Sequence, residues 1–271
     1  MDGFRHTIGA LVLAGLAIAS CSAPVRFSEQ GGSLTVAGSD SFVPLARALI
    51  DEFSVRQPHI AVQLQTANGE TVDEWLKTER AEVALVAGPP APLLGRWQQR
   101  PVALEGLAVI VHSQQQLSEA GAAQIQAMFS GRLADWEALG EEEGEGEIQP
   151  VSRESGSAAR RVFESTVMGD KPVTPRAIVM PTSALMVEYV AVHPDAIGYA
   201  AAHWADATVK MLAVEGALPT REAVGGGSYP LVLTAYLVWR AAPSAEARAF
   251  ADFVASSAGR AVIVGAGYAA P

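Results

Sequence analysis

The sequence predicts an α/β fold of two lobes, mainly parallel sheets with helices on both faces, joined by two crossover strands. Three observations carry this reading. Strand-like apolar runs alternate with runs of helical period from residue 34 to the end. Two strands, near 106–112 and 231–239, are almost wholly apolar, as strands covered on both faces are. A chain of 271 residues, 49% hydrophobic and 18% charged, can bury the core that such a body needs. If each apolar strand crosses between lobes, one lobe is 34–108 plus 231–271 and the other is 109–230.

The first residues read as an address. Residues 8–19 are apolar for about a dozen positions, the length of a signal-peptide core. Ile18, Ala19 and Ser20 lead into Cys21, the only cysteine, and the run resembles a bacterial lipobox. Residues 1–20 are therefore expected to be a lipoprotein signal peptide. Cys21 is expected to be the lipidated residue that holds the protein to the membrane, since acyl chains bury methylenes at about 0.8 kcal/mol each. Residues 21–33 are polar with Gly and Pro, and read as a flexible tether.

The elements then follow in order. Residues 34–37 read as a strand. Phe42, Leu45, Leu49 and Phe53 mark one face of a helix that carries Pro44 in its first turn, where a missing N–H costs little. Strands are expected at 60–64, 83–86, 106–111, 148–151, 196–199, 208–212 and 231–239. Helices are expected at 71–79, 122–129, 158–168, 183–192, 244–256 and 259–264.

Charge and composition exclude several functions. The formal net charge of -10 argues against a nucleic-acid partner, which calls for basic surface. One cysteine allows no intramolecular disulfide and no Cys-rich metal site. After the N-terminus no stretch has the roughly 20 apolar residues of a spanning helix. His6, His59, His112, His193 and His203 form no H-E-x-x-H pair, and the chain has neither a G-x-S-x-G elbow nor a P-loop. No enzyme, cofactor or metal is expected, and the chain is expected to be a monomer.

Ligands in such sheets bind beyond the carboxyl ends of strands, where helix starts converge. Two strand-to-helix turns stand out, Gly38 to Pro44 and Arg153 to Arg160. Each brings hydroxyls to a helix N-terminus, and the second adds a guanidinium, so the pair suits a small oxyanion. Taken singly, each turn is also an ordinary helix cap.

These turns carry a resemblance. Gly38 to Pro44 and Arg153 to Arg160 resemble the two signatures of the phosphate-binding proteins of bacterial phosphate ABC importers, the PstS type. Gly106 to Val111, Met128 to Trp136, Ala196 to Tyr199, Gly227 to Val238 and Gly267-Tyr268 are similar to further family segments, in the family's order. The resemblance implies a periplasmic-binding-protein fold of the class II type. It implies capture of inorganic phosphate, or another small oxyanion, between the lobes for an ABC importer permease. Carried over by position, Ser41 and Phe42 would supply a hydroxyl and backbone donors from one lobe. Arg153, Ser157 and the Ala158 and Ala159 amides would serve from the other, and Glu82 would stand where the family has an acid. Ala158-Ala159 departs from the family's Gly-Thr and loses a hydroxyl, while Asp40 adds a carboxylate beside the first turn. The alternatives are the same fold used as a sensor or scaffold for another ligand and, further off, a secreted hydrolase.

Overall fold

The computed structural model describes residues 31–88, 95–140 and 146–271, all within one unit, Gly31–Pro271. The expected signal peptide and Cys21 lie outside the described residues. The elements are β1 (Gly32–Ser39), α1 (Val43–Arg56), β2 (Ile60–Ala67), α2 (Gly69–Lys77), β3 (Val83–Ala87), β4 (Trp97–His112), β5 (Glu119–Ala120), α3 (Ala122–Phe129), β6 (Gln149–Arg153) and α4 (Ala158–Phe163). They continue with β7 (Ile178–Met180), α5 (Ser183–Val192), β8 (Ala196–Ala201), β9 (Val209–Met211), β10 (Ala213–Val214), α6 (Arg221–Gly225), β11 (Val232–Arg240), α7 (Ala245–Ala255) and α8 (Ser257–Gly265). Since β1 begins at Gly32, the last two residues assigned to the tether are strand instead.

One path of pairing runs β2-β1-β3-β11-β4-β8-β6-β7, with β9 added to β4. β2, β1 and β3 are parallel, as are β8, β6 and β7. β11 and β4 are antiparallel to their neighbours. Each lobe is thus parallel at its outer strands and antiparallel where the chain crosses over.

β4 carries the crossing. Residues 97–106 pair with β11, and Leu107 to Val111 pair with β8, so pairing divides between Gly106 and Leu107. At that point a Cβ on Gly106 would lie 2.4 Å from Pro219 Cβ, so only glycine fits. The strand starts nine residues before the apolar run at 106, and its first part escapes a sequence reading because 97–101 (WQQRP) is mostly exposed and shows no apolar alternation. Pro101, which cannot donate to a ladder, sits at a bulge opposite Ala235 and Tyr236. The chain returns just before β11, where Leu107 N–H donates to the Leu231 carbonyl at 2.8 Å. The second apolar strand therefore lies within the first lobe's sheet and does not itself span both lobes.

Aromatic packing anchors both lobes. Phe53 meets Phe250 edge-on at 5.2 Å in the first, and Phe163 stacks on Tyr199 at 4.1 Å in the second. The helix expected at 158–168 is α4 followed by a π turn, Glu164–Met168. Four short elements escaped the sequence reading, β5, β7, β10 and α6.

Candidate ligand-binding cleft

The first turn leaves β1 at Ser39, whose Oγ accepts from Ala87 N–H at 3.1 Å and ties the carboxyl ends of β1 and β3 together. A 3-10 turn, Asp40–Phe42, then feeds α1. Phe42 is fully buried with its ring 6.1 Å from Tyr268, so its side chain belongs to the core and only its backbone can face a ligand. Ser41 is buried too.

The second turn leaves β6 at Arg153 and enters α4, which Ser157 caps by accepting from Arg160 N–H at 3.3 Å. The Ala158 and Ala159 amides are in the first turn of this helix, where N–H groups have no intrahelical acceptor. Tyr199 supports the turn from β8: its OH accepts from Arg153 N–H at 3.2 Å and pairs with Ser152 Oγ at 2.9 Å. Burial raises the Tyr199 phenol above its ordinary value, so it stays protonated and can donate to Ser152.

Arg153 is only 1% exposed, and its guanidinium is held on several sides. Nε bonds Glu154 at 3.2 Å and the Met180 carbonyl at 3.1 Å; Nη2 bonds Glu154 at 3.4 Å and the Pro181 carbonyl at 3.0 Å. These partners all belong to the second lobe. Nη1 bonds Ser183 Oγ at 3.0 Å and, across the cleft, Asp40 Oδ2 at 3.1 Å. The same Asp40 oxygen accepts from Ser183 N–H at 2.9 Å and from Ser183 Oγ at 2.6 Å, at the first residue of α5. One arm of a pre-oriented guanidinium, a hydroxyl and a helix-start amide thus converge on one carboxylate oxygen.

The lobes meet at a second place. Glu70 N–H in α2 donates to the Gly156 carbonyl at 3.1 Å. A Cβ on Gly156 would lie 2.8 Å from Asn68 Nδ2, so a glycine here lets the two helix starts approach. Beside this contact an open groove of about 560 Å³ is lined by Glu70, Asp73 and Trp75 on one side and Ser155 and Arg161 on the other. Burial raises the Asp73 carboxyl above its ordinary value, and the Arg161 charge partly offsets the shift.

The turns at 38–44 and 153–160 are therefore brought together, with Arg153 at their junction. Glu82 is not. It precedes the amino end of β3, while the cleft lies at the carboxyl end beside Ser39. Five strand residues at about 3.3 Å each separate the two ends. Glu82 instead accepts from Ser244 Oγ at 2.6 Å, at the cap of α7.

A family model described as a PBP superfamily domain matches residues 26–258. The chain belongs to this family. PBP-family relatives of this chain include the phosphate-binding protein PstS of Bacillus subtilis, 24% identical over 84% of this chain and 77% of that protein. PstS of Pseudomonas aeruginosa PAO1 is 26% identical over 95% of this chain and 91% of its own. Among solved structures, a Clostridium perfringens protein described as a phosphate ABC transporter substrate-binding protein with bound phosphate superposes with a TM-score of 0.82. It is 22% identical and covers 89% of this chain and all of its own, which establishes the two-lobed fold. Sequence reasoning left Ser183 and Glu154 out of the site and treated Asp40 only as an extra charge. The signal for Ser183 was present: Thr182 before an apolar helical run marks a capped helix start, and Thr182 Oγ1 accepts from Leu185 N–H at 3.1 Å.

Proposed function

We propose that this chain is an extracytoplasmic solute-binding protein that captures inorganic phosphate between its lobes and delivers it to an ABC importer permease. The lobes are 34–108 plus 231–271 and 109–230, and the ligand donors are Ser41, the Phe42 amide, Arg153, Ser157 and the Ala158 and Ala159 amides. One observation carries the reading: Arg153 Nη1, the Ser183 hydroxyl and the α5 start all point at an oxyanion, the Asp40 carboxylate. A site that gathers donors around one oxyanion has the chemistry to hold another. Closure of the lobes on the ligand follows from its higher affinity for the closed form. The protein acts by binding rather than by turnover. Cys21, ahead of β1, ties it to the membrane, and no described helix is long and apolar enough to cross one.

Calorimetric titration of the mature chain tests this. Saturable binding of phosphate, lost in Arg153→Lys, supports it; no heat with phosphate removes it. Two carboxylates on one guanidinium, Asp40 and Glu154, favour a second reading, a sensor or scaffold for a less anionic ligand. Thermal stabilisation by such a ligand, with none by phosphate, would select it.

A further inference from the structure

We infer that Asp40 is a cross-lobe latch that sets ligand affinity: its carboxylate stands in for an oxyanion on Arg153 and Ser183 and must be displaced by any free anion that uses those donors. The inference rests on the oxyanion-binding reading above for its second half only. The contact itself is a property of the protein's own side chains.

Three features separate this contact from an ordinary ion pair. Asp40 lies in the first lobe, while Arg153 and Ser183 lie in the second, so the contact exists only when the lobes are together. All three bonds fall on one oxygen, Oδ2, as donors gather on an anionic ligand. The receiving groups are set without Asp40: the Glu154, Met180 and Pro181 bonds orient the guanidinium within its own lobe, and Ser183 is fully buried. The donors are therefore preformed, and Asp40 is the movable partner.

A tethered competitor acts at high effective concentration, and the affinity seen by a free ligand falls by the fraction of molecules whose site is unoccupied. Release of Asp40 therefore frees Arg153 Nη1 and the α5 amide for the ligand, and removes a negative charge beside it. At the same time it takes away a tie that holds the lobes together.

The test compares wild type with Asp40→Ser and Asp40→Asn, reading small-angle scattering without phosphate and calorimetric titration with phosphate. Asp40→Ser removes the acceptor, and Asp40→Asn removes its charge and weakens the latch while preserving shape if Asp40→Ser fails to fold. The expected result is a larger radius of gyration without phosphate and phosphate binding at least about tenfold tighter. Unchanged scattering overturns the inference. So does binding no tighter than that of a wild type that binds phosphate. Expansion with no phosphate bound by any of the three proteins leaves the latch in place and removes the phosphate reading instead.

Discussion

His203 Nδ1 lies 2.7 Å from Glu105 Oε1, and the pair spans the two lobes at the crossover. His203 follows β8 in the second lobe; Glu105 sits on the part of β4 that pairs with β11. The other ring nitrogen meets the Ala266 carbonyl at 2.7 Å, and the ring stacks on Tyr268 at 3.9 Å. Both nitrogens face oxygens, an arrangement that favours the protonated ring, which can donate twice.

A pH dependence follows from that pair. Burial alone would lower the His203 pKa, but the Glu105 bond and charge and the Ala266 carbonyl outweigh it, so the value lies above the ordinary 6.5. Burial pushes the Glu105 carboxyl up, with His203 pulling it back. A raised folded value means that the His203 stabilisation is complete below 6.5 and is lost as pH rises through the raised value. The urea midpoint is expected to fall as pH rises from 6.5 through the raised value, and His203→Gln is expected to flatten that slope. An equal slope in the variant would place the pH dependence elsewhere.

Arg153→Ala is expected to cost both binding and stability. The guanidinium is buried, and its removal strands Asp40, Glu154 and two carbonyls. Breaking one side of a buried ion pair costs about 3–5 kcal/mol. Denaturant unfolding should show a loss of that order. A loss under about 1 kcal/mol would mean that water enters and screens the pair.

Gly156→Val should push α2 away from the second lobe. The new side chain would collide with Asn68, and the Glu70–Gly156 bond would break. Scattering should show a more open molecule and titration a weaker ligand, while circular dichroism stays native. Wild-type affinity in this variant would show that the two helix starts need not touch.

Glu82→Gln should leave ligand affinity unchanged. Its carboxylate holds Ser244, which caps α7 by accepting from Ala247 N–H at 3.2 Å. The expected effect is a loss of about 1 kcal/mol in unfolding free energy, the scale of a weakened cap. A change in affinity without a change in stability would return Glu82 to the binding site.

The elements legible in the sequence were those with one buried face. α1 carries Leu45, Leu49 and Phe53 at helical spacing, and residues 107–111 of β4 are apolar without a break. The first half of β4 was not legible, because its Gln98, Gln99 and Arg100 point to solvent and the strand is held by pairing to β11, more than a hundred residues away. β7 escaped for a similar reason: three residues with none fully buried leave no periodicity to detect.

The α/β alternation, the two hydroxyl-bearing turns and Arg153 can be read from the residues alone, because each depends on neighbours within a turn or two of chain. Tertiary structure alone decided which charges meet. Glu82 went to the amino end of β3 and holds the Ser244 cap of α7, while Asp40 crossed the cleft to Arg153 and Ser183, 113 and 143 residues on. Hydrophobic period and capping act over a few residues. Ion pairing acts through space, so its partners are set only when the sheet brings distant strand ends together.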